Sequence, residues 1–502
     1  MDKLNSYIAQ AQQTLAQIDE HISPMYQSPY DTAWVSRVRD KNGKLRWPHL
    51  SKWLIKTQHA DGSWGGEIYY PHDRVITTLS ACIALKKNEK DLPYTAYLAL
   101  NKGKTFLQEH VFRLSHVFHE LVGFELIYPM LCHEATQLGI EIPTYANGYT
   151  ELKRNKLSRV PQEMLYSPNS TTAHSLEFLG DSVNSELIAG VAGASGVANS
   201  PSATAYFLGH VGSHKGADSY LEELVTREVI PYAYPCRLFE SIWALNALTY
   251  SGLSITEFLP PDSPFWSELR HMIEKHGGVG FDESFGIIDG DDTSIAVKLL
   301  QLAGTKISPD VLTQFQTEEM IFRTYNYERD PSIGTNIHAL EAISLIDNYP
   351  NQEEVYESVL DLVMQEKQKR GAWTDKWHIS PLYIVSHMIP ALKHNITFRP
   401  TLNQIVQEVW SNQNPDGSWG YLEKSTLEET AYGLIILGHY YQIDPSEDLK
   451  LALQSGRAYL ESSYRIEKKR YPELWIGKVL YTPHRIVDIT ILSALILCEK
   501  IL

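Results

Sequence analysis

Apolar side chains recur at helical spacing along most of this chain. Leu4, Ile8, Ala11, Leu15 and Ile18 fall on one face of an N-terminal helix. Val75, Leu79, Cys82 and Leu85 form a second stripe. Phe239, Ile242, Leu245 and Leu248 form a third, Ile295, Leu299 and Leu302 a fourth, and Leu427, Ala431, Leu434 and Leu437 a fifth. Alternating Val/Ile/Thr runs bounded by tight turns are scarce, so the pattern predicts an all-α fold. The most apolar stretch, Ile486 to Leu502, is interrupted by Asp488, Glu499 and Lys500. It falls short of the roughly 20 residues that span a bilayer and predicts a buried helix, with no transmembrane segment.

At 502 residues the chain is too long for one ordinary core, and two domains are expected. The net charge of -16 argues against a nucleic-acid partner, because phosphate neutralisation needs clustered Lys and Arg. Cys82, Cys132, Cys236 and Cys498 are too scattered for a metal site or a disulfide framework. A cytoplasmic setting is the simplest expectation. The N-terminus shows no cationic region leading into an apolar one, so no signal peptide is expected.

One repeat marks a duplication. Gln58-His59-Ala60-Asp61-Gly62-Ser63-Trp64-Gly65 recurs as Gln413-Asn414-Pro415-Asp416-Gly417-Ser418-Trp419-Gly420. Each copy ends a helix-like stretch and turns at Asp-Gly, where Gly tolerates positive φ. The Trp is expected to stack across the turn on the Gln amide and pin neighbouring helix ends. Two copies suggest two related helical modules.

The chemistry concentrates at Asp289-Gly290-Asp291-Asp292-Thr293-Ser294, just before the apolar run from Ile295. Three carboxylates near a helix N-terminus admit three readings: a helix cap, a divalent-metal site, or a proton donor. As a donor the cluster works by repulsion, because adjacent carboxylates in a dry cavity hold a proton more tightly than a free Asp.

The repeat resembles the Gln-Trp motif of triterpene and diterpene cyclases, and the acid segment resembles the Asp-x-Asp-Asp-Thr-Ala signature of class II cyclases. Ser28-Pro29-Tyr30-Asp31-Thr32-Ala33-Trp34-Val35, His72-Asp73-Arg74, Ser200 to Ala205 and Leu474-Trp475-Ile476-Gly477-Lys478 also look like family segments, in the family's order. The joint pattern most resembles bacterial didomain cyclases of the copalyl and halimadienyl diphosphate synthase type. It implies two α-barrel domains with the active site between them. Residues 1–45 with 236–502 would form the β domain, and 46–235 the inserted γ domain.

The resemblance implies protonation-initiated cyclisation of geranylgeranyl diphosphate to a bicyclic labdane, halimane or clerodane diphosphate. Asp291 would be the acid, supported by Asp289 and Asp292, with His338 orienting it. Lys156 and Glu125 would hold the diphosphate, Glu125 through Mg²⁺. His174 matches one half of the plant terminating dyad, but Tyr232 stands where its Asn would be, so the two form a base or shape the cavity. Trp377, Phe281 and Tyr481 are candidate aromatic walls for the cation. No Asp-Asp-x-x-Asp occurs, so the diphosphate should stay on the product, for a downstream class I synthase or a phosphatase. The alternatives are a farnesyl diphosphate cyclase giving a drimane, a squalene-type triterpene cyclase, and a helical-barrel glycosidase, for which no second carboxylate is marked.

Overall fold

The computed structural model describes residues 3–20, 25–116, 121–143, 148–325, 328, 330–464 and 470–502. Helices dominate, and among the described residues the only sheet is a two-stranded one pairing Trp475–Ile476 with Leu480–Tyr481. Several helices begin where the sequence supplies both a cap and a Pro. Ser28 accepts from the Asp31 amide ahead of Pro29–Val35, and Ser200 accepts from the Ala203 amide ahead of Pro201–Val211. The side-chain oxygen satisfies an amide that the first turn leaves unpaired, and Pro needs none there.

Two apolar cores result. One gathers Ala11, Ile18 and Met25 with residues from Cys236 to Cys498. The other gathers Tyr30 to Ala233, and the Leu474–Leu480 segment returns to it. The chain changes from one apolar core to the other ahead of residue 45, where a domain border was expected. The Pro29–Val35 helix packs with Pro71–Lys87 and Pro201–Val211 in the second core, and the crossing falls between Met25 and Tyr30. An apolar face does not say which core it will join.

The duplicated motif makes the same contacts twice. Gln58 Nε2 donates to the Gly62 and Ala99 carbonyls, as Gln413 Nε2 does to Gly417 and Ala452. Trp64 Nε1 donates to Leu54 at 2.7 Å, and Trp419 Nε1 to Val409 at 2.8 Å. The pinning of helix ends thus runs through hydrogen bonds from both side chains. Gly62 and Gly417, at φ 90° and 89°, let the chain turn against a neighbouring backbone that a Cβ would strike.

His484–Ile501 is the expected C-terminal helix, and it is buried in the first core. Among the described residues no helix is long and apolar enough to cross a membrane.

Polar contacts hold the returning Leu474–Leu480 segment in the second core. Asp73 accepts from the Gly66 and Leu480 amides at 2.7 and 3.0 Å. Lys478, fully buried, donates to the His174 carbonyl, Ser200, Ser202 and the Glu177 carboxylate.

Candidate active site

The three aspartates open the helix Gly290–Leu302, and each has a different task. Asp289 is the cap: its Oδ1 accepts from the Asp291 and Asp292 amides at 3.0 and 2.8 Å. Its Oδ2 accepts from the Tyr325 hydroxyl at 3.3 Å. With capping done by Asp289, Asp291 and Asp292 are left for other work. Asp291 Oδ1 lies 2.6 Å from His338 Nδ1. Asp292 Oδ1 accepts from Trp243 Nε1 at 2.8 Å.

All three carboxyls are buried, at 2, 5 and 5% exposure. Burial, followed by the charges of Asp292 and Asp291, raises the Asp289 carboxyl well above the usual range. Burial also pushes Asp292 up to about 7, against the opposing pull of the Trp243 N–H. The cluster therefore retains a proton near neutrality, as mutual repulsion requires. The carboxylates turn to separate partners, and among the described residues no group of three His, Cys, Asp or Glu side chains could hold a metal ion. The metal reading of this motif has no support in the geometry.

A pH-dependent stability follows. The folded Asp292 value, about 7, lies above the unfolded value of roughly 3.9. Its proton therefore stabilises the fold fully at low pH, and that contribution is lost as pH rises through about 7. Asp292→Asn cannot lose it and still accepts from Trp243. Its melting temperature relative to the parent should rise between pH 6 and pH 8, read by thermal denaturation in matched buffers. A constant difference would contradict the shift.

His338 sits on Ile333–Ile343, whose cap is Ser332. The imidazole is fully buried, and its second nitrogen, Nε2, lies 2.6 Å from His387 Nδ1. Trp243 meets His338 edge-on at 5.3 Å between centroids.

From the acid an aromatic wall leads toward the other unit. Trp243 lies 5.5 Å from Trp475, Trp475 6.3 Å from Tyr481, and Tyr481 4.6 Å from Tyr232, which lies 5.2 Å from His174. Phe281 stacks on Phe239 at 5.0 Å, beside Trp475. Trp377 meets Tyr325 at 6.4 Å and carries the Lys376 ammonium 5.2 Å from its ring centroid. Gly477 is obligatory here, because a Cβ would lie 2.4 Å from the Tyr232 ring. The wall thus contains Phe281, Tyr481 and Tyr232, and Trp377 flanks the acid.

At the far end lies His174, a half-buried residue. Its Nδ1 donates to the Ala198 carbonyl at 2.8 Å, so Nε2 carries the lone pair, and Nε2 has no hydrogen-bond partner. Burial, then the Lys478 charge, lowers this imidazole to about 3, and it stays neutral. Burial raises the Tyr232 phenol, which keeps its proton. Of the two, only His174 offers a lone pair able to take a proton.

Beyond His174 lie the two predicted diphosphate residues. Glu125 is in the first turn of Phe124–Gln137, and Lys156 is near the end of Gly148–Leu157. They meet as an ion pair at 2.7 Å, with Glu125 buried and Lys156 part-exposed. Gly123, which precedes this helix at φ 69°, lies against Ser175, next to His174.

Trp243, Tyr325, Trp475 and His387 join the site although the sequence did not single them out for it. Trp243 sits on an ordinary apolar stripe, and nothing in the sequence marks its indole N–H as bound to a carboxylate. His387 had a faint signal, a histidine in the apolar run of Pro381–Leu392. An open groove of about 1110 Å³ lies elsewhere, lined by Trp34, Met130, His133, Tyr206 and Asp218. It is lined by none of Asp289, Asp291 and Asp292.

Residues 322–435 match the squalene-hopene cyclase C-terminal domain. A type B diterpene cyclase of Mycobacterium tuberculosis is 32% identical over 494 residues, covering 94% of this chain and 95% of the relative. A (+)-kolavenyl diphosphate synthase of Herpetosiphon aurantiacus is 30% identical, covering 94% of each chain. The fold is similar to that of the ent-copalyl diphosphate synthase from Streptomyces platensis, with a TM-score of 0.78, 24% identity, and coverage of 98% and 99% of the two chains. With a third of its residues shared along nearly the whole length of such a relative, and an ordered acid cluster facing an aromatic wall, this protein belongs to the class II diterpene cyclases.

Proposed function

We propose that the chain protonates geranylgeranyl diphosphate at its terminal alkene, closes two rings, and releases a bicyclic diterpenyl diphosphate. The observation that carries this reading is the order of groups along one wall. A buried carboxyl cluster that holds a proton stands at one end, a neutral histidine with an unpartnered Nε2 lone pair at the other, and aromatic rings between them.

In this reading Asp291 gives its proton to the alkene, the alkene π pair forms the new C–H bond, and a tertiary cation results. His338 donates to the carboxylate left behind, and Asp289 and Asp292 hold the cluster's remaining proton. Trp475, Tyr481 and Tyr232 face the moving cation without offering a nucleophile that would trap it. His174 Nε2 removes the final proton, and its low basicity is no obstacle against a carbocation. Slow removal would let hydride and methyl shifts proceed from a labdane to a halimane or clerodane skeleton.

Lys156 would hold the diphosphate directly. Glu125 is a single carboxylate already paired with that lysine, and it would contribute one carboxylate toward Mg²⁺. Mg²⁺ would supply charge neutralisation there. The retained diphosphate requires a later enzyme that ionises or hydrolyses it. A reducing, cytoplasmic compartment fits Cys82 and Cys498, which are buried thiols with pKa values raised to about 12.

The test is incubation with geranylgeranyl, farnesyl and geranylfarnesyl diphosphates plus Mg²⁺, followed by dephosphorylation and mass spectrometry. A bicyclic C20 alcohol is expected. Turnover of farnesyl diphosphate alone would replace this substrate with the drimane alternative. His174→Ala should leave substrate consumption, which protonation starts, far less affected than the product mixture, which should move toward rearranged or water-quenched skeletons. An unchanged product profile would remove His174 as the base.

A further inference from the structure

Asp291 can protonate an alkene only if its own proton is not already engaged by a neighbour. The contact with His338 makes this a question of where the imidazole protons sit. Asp291 Oδ1 and His338 Nδ1 are 2.6 Å apart, and His338 Nε2 and His387 Nδ1 are also 2.6 Å apart. A neutral His338 can fill these two contacts in two ways. In the first, His387 Nδ1–H donates to His338 Nε2, and His338 Nδ1–H donates to Asp291 Oδ1. In the second, His338 Nε2–H donates to His387, and the Asp291 hydroxyl donates to His338 Nδ1. Only the first leaves the acid proton on Oδ2, free for the substrate. Only the first keeps an N–H on the carboxylate once that proton has gone. The second spends the acid proton on the imidazole.

We propose that His387 is a positioning residue that fixes His338 in its Nδ1–H tautomer, and so keeps Asp291 competent as an acid. The proposal rests on Asp291 being the proton donor. His387 never touches the substrate, and it lies behind His338 on the buried helix Pro381–Leu392.

Several observations beyond the 2.6 Å contact support this role. His387 is 6% exposed, and its ring packs on Tyr383 at 4.6 Å and Tyr250 at 5.2 Å, so it cannot flip freely. A buried cation stands close by. Lys298 Nζ lies 4.5 Å from the centroid of the Tyr250 ring and is held by Glu341 Oε1 at 2.9 Å and Asn246 Oδ1 at 2.8 Å. Burial above all lowers His387 far below the usual imidazole range, so it carries one proton and not two. A single proton placed on Nδ1 satisfies His338 Nε2. The tautomer of each ring is then set by the hydrogen bond that the other makes. The lysine and glutamate sit on the same faces as the acid pair: Lys298 is two turns after Asp291 on one helix, and Glu341 is one turn after His338 on the other.

Proton accounting is unchanged along the pair. The Asp291 O–H bond breaks, a C–H bond forms, and the carboxylate keeps the His338 N–H that it already had. No proton moves on His338 or His387 in that step.

Two measurements test the proposal. In the parent protein, long-range ¹H–¹⁵N correlation of histidine-labelled enzyme should show His338 and His387 both protonated on Nδ1, with assignments made from His387→Gln and His338→Gln. A proton on His338 Nε2 would overturn the proposal, whatever the activity of any variant. Kinetically, His387→Leu removes the donor and should lower kcat roughly a hundredfold, the scale on which wrongly oriented acid–base groups cost rate, with KM little changed. His387→Gln restores an N–H donor and should recover most of that loss. A purely packing role predicts the reverse order, with the apolar Leu better tolerated than Gln, and that result would overturn the proposal. Activity in Asp291→Asn would instead remove the reading on which it rests, and the tautomer measurement separates the two failures.

Discussion

Asp291→Asn is expected to lose at least about 10³-fold in cyclisation rate, roughly 4 kcal/mol of barrier, without losing melting temperature. The amide is close to isosteric, and its oxygen still accepts the His338 N–H that now lies 2.6 Å from Asp291 Oδ1. The helix keeps its cap, because capping belongs to Asp289. What is lost is the transferable proton alone. Asp289→Asn should be milder on this account, since its Oδ1 can still accept from both amides. Steady-state turnover of geranylgeranyl diphosphate, with thermal melting run alongside, separates the two variants. Full activity of Asp291→Asn would move the acid to another residue.

The second large effect is on stability. Lys478→Met is expected to cost about 3–5 kcal/mol, the scale for removing one partner of a buried ion pair. Both Lys478 and Glu177 are completely buried, with Nζ 3.1 Å from Oε1. Removing the lysine strands the carboxylate, which would keep only the Tyr30 hydroxyl on Oε1, at 3.0 Å, and has no partner on Oε2. It also releases Ser200, Ser202 and the His174 carbonyl, and so loosens the packing around His174. The double variant Lys478→Met/Glu177→Gln should recover part of the loss, because the stranded charge is gone. Urea unfolding of the two variants and the parent checks this. Equal destabilisation by the single and double variants would show that Glu177 was never held by Lys478.

Much of this arrangement was legible in the sequence, for identifiable reasons. Helical periodicity is local, so the stripes at Val75 to Leu85 and Leu427 to Leu437 report their helices directly. The Gln-Trp motif is a short turn whose hydrogen bonds stay largely within neighbouring residues, and so it could be read twice. Asp289 to Asp292 announce themselves because clustered carboxylates are expensive unless they are used. Lys156 and Glu125 lie 31 positions apart and yet form an ion pair, a pairing that only the family pattern suggested.

What escaped was long-range. Trp243 binds Asp292 across 49 positions and His387 binds His338 across another 49. In each case the partner is chosen by how helices stack, which periodicity does not encode. The border between the two cores escaped for the same reason. Tyr30, Ala33 and Trp34 make an apolar face that would suit either core, and only packing against Pro71–Lys87 and Pro201–Val211 decides it. Lys478 was visible only as part of a family segment, and its burial among four hydrogen-bond partners was not.

The central claim is that cyclisation starts by proton transfer from Asp291 and leaves the diphosphate in place. The most direct measurement is turnover of geranylgeranyl diphosphate in D₂O, with mass spectrometry of the intact product and an assay for released inorganic diphosphate. The account predicts one deuterium on the former terminal alkene carbon that accepted the acid's proton, an intact diphosphate, and neither product nor label with Asp291→Asn. Release of diphosphate with formation of an unlabelled hydrocarbon would contradict it.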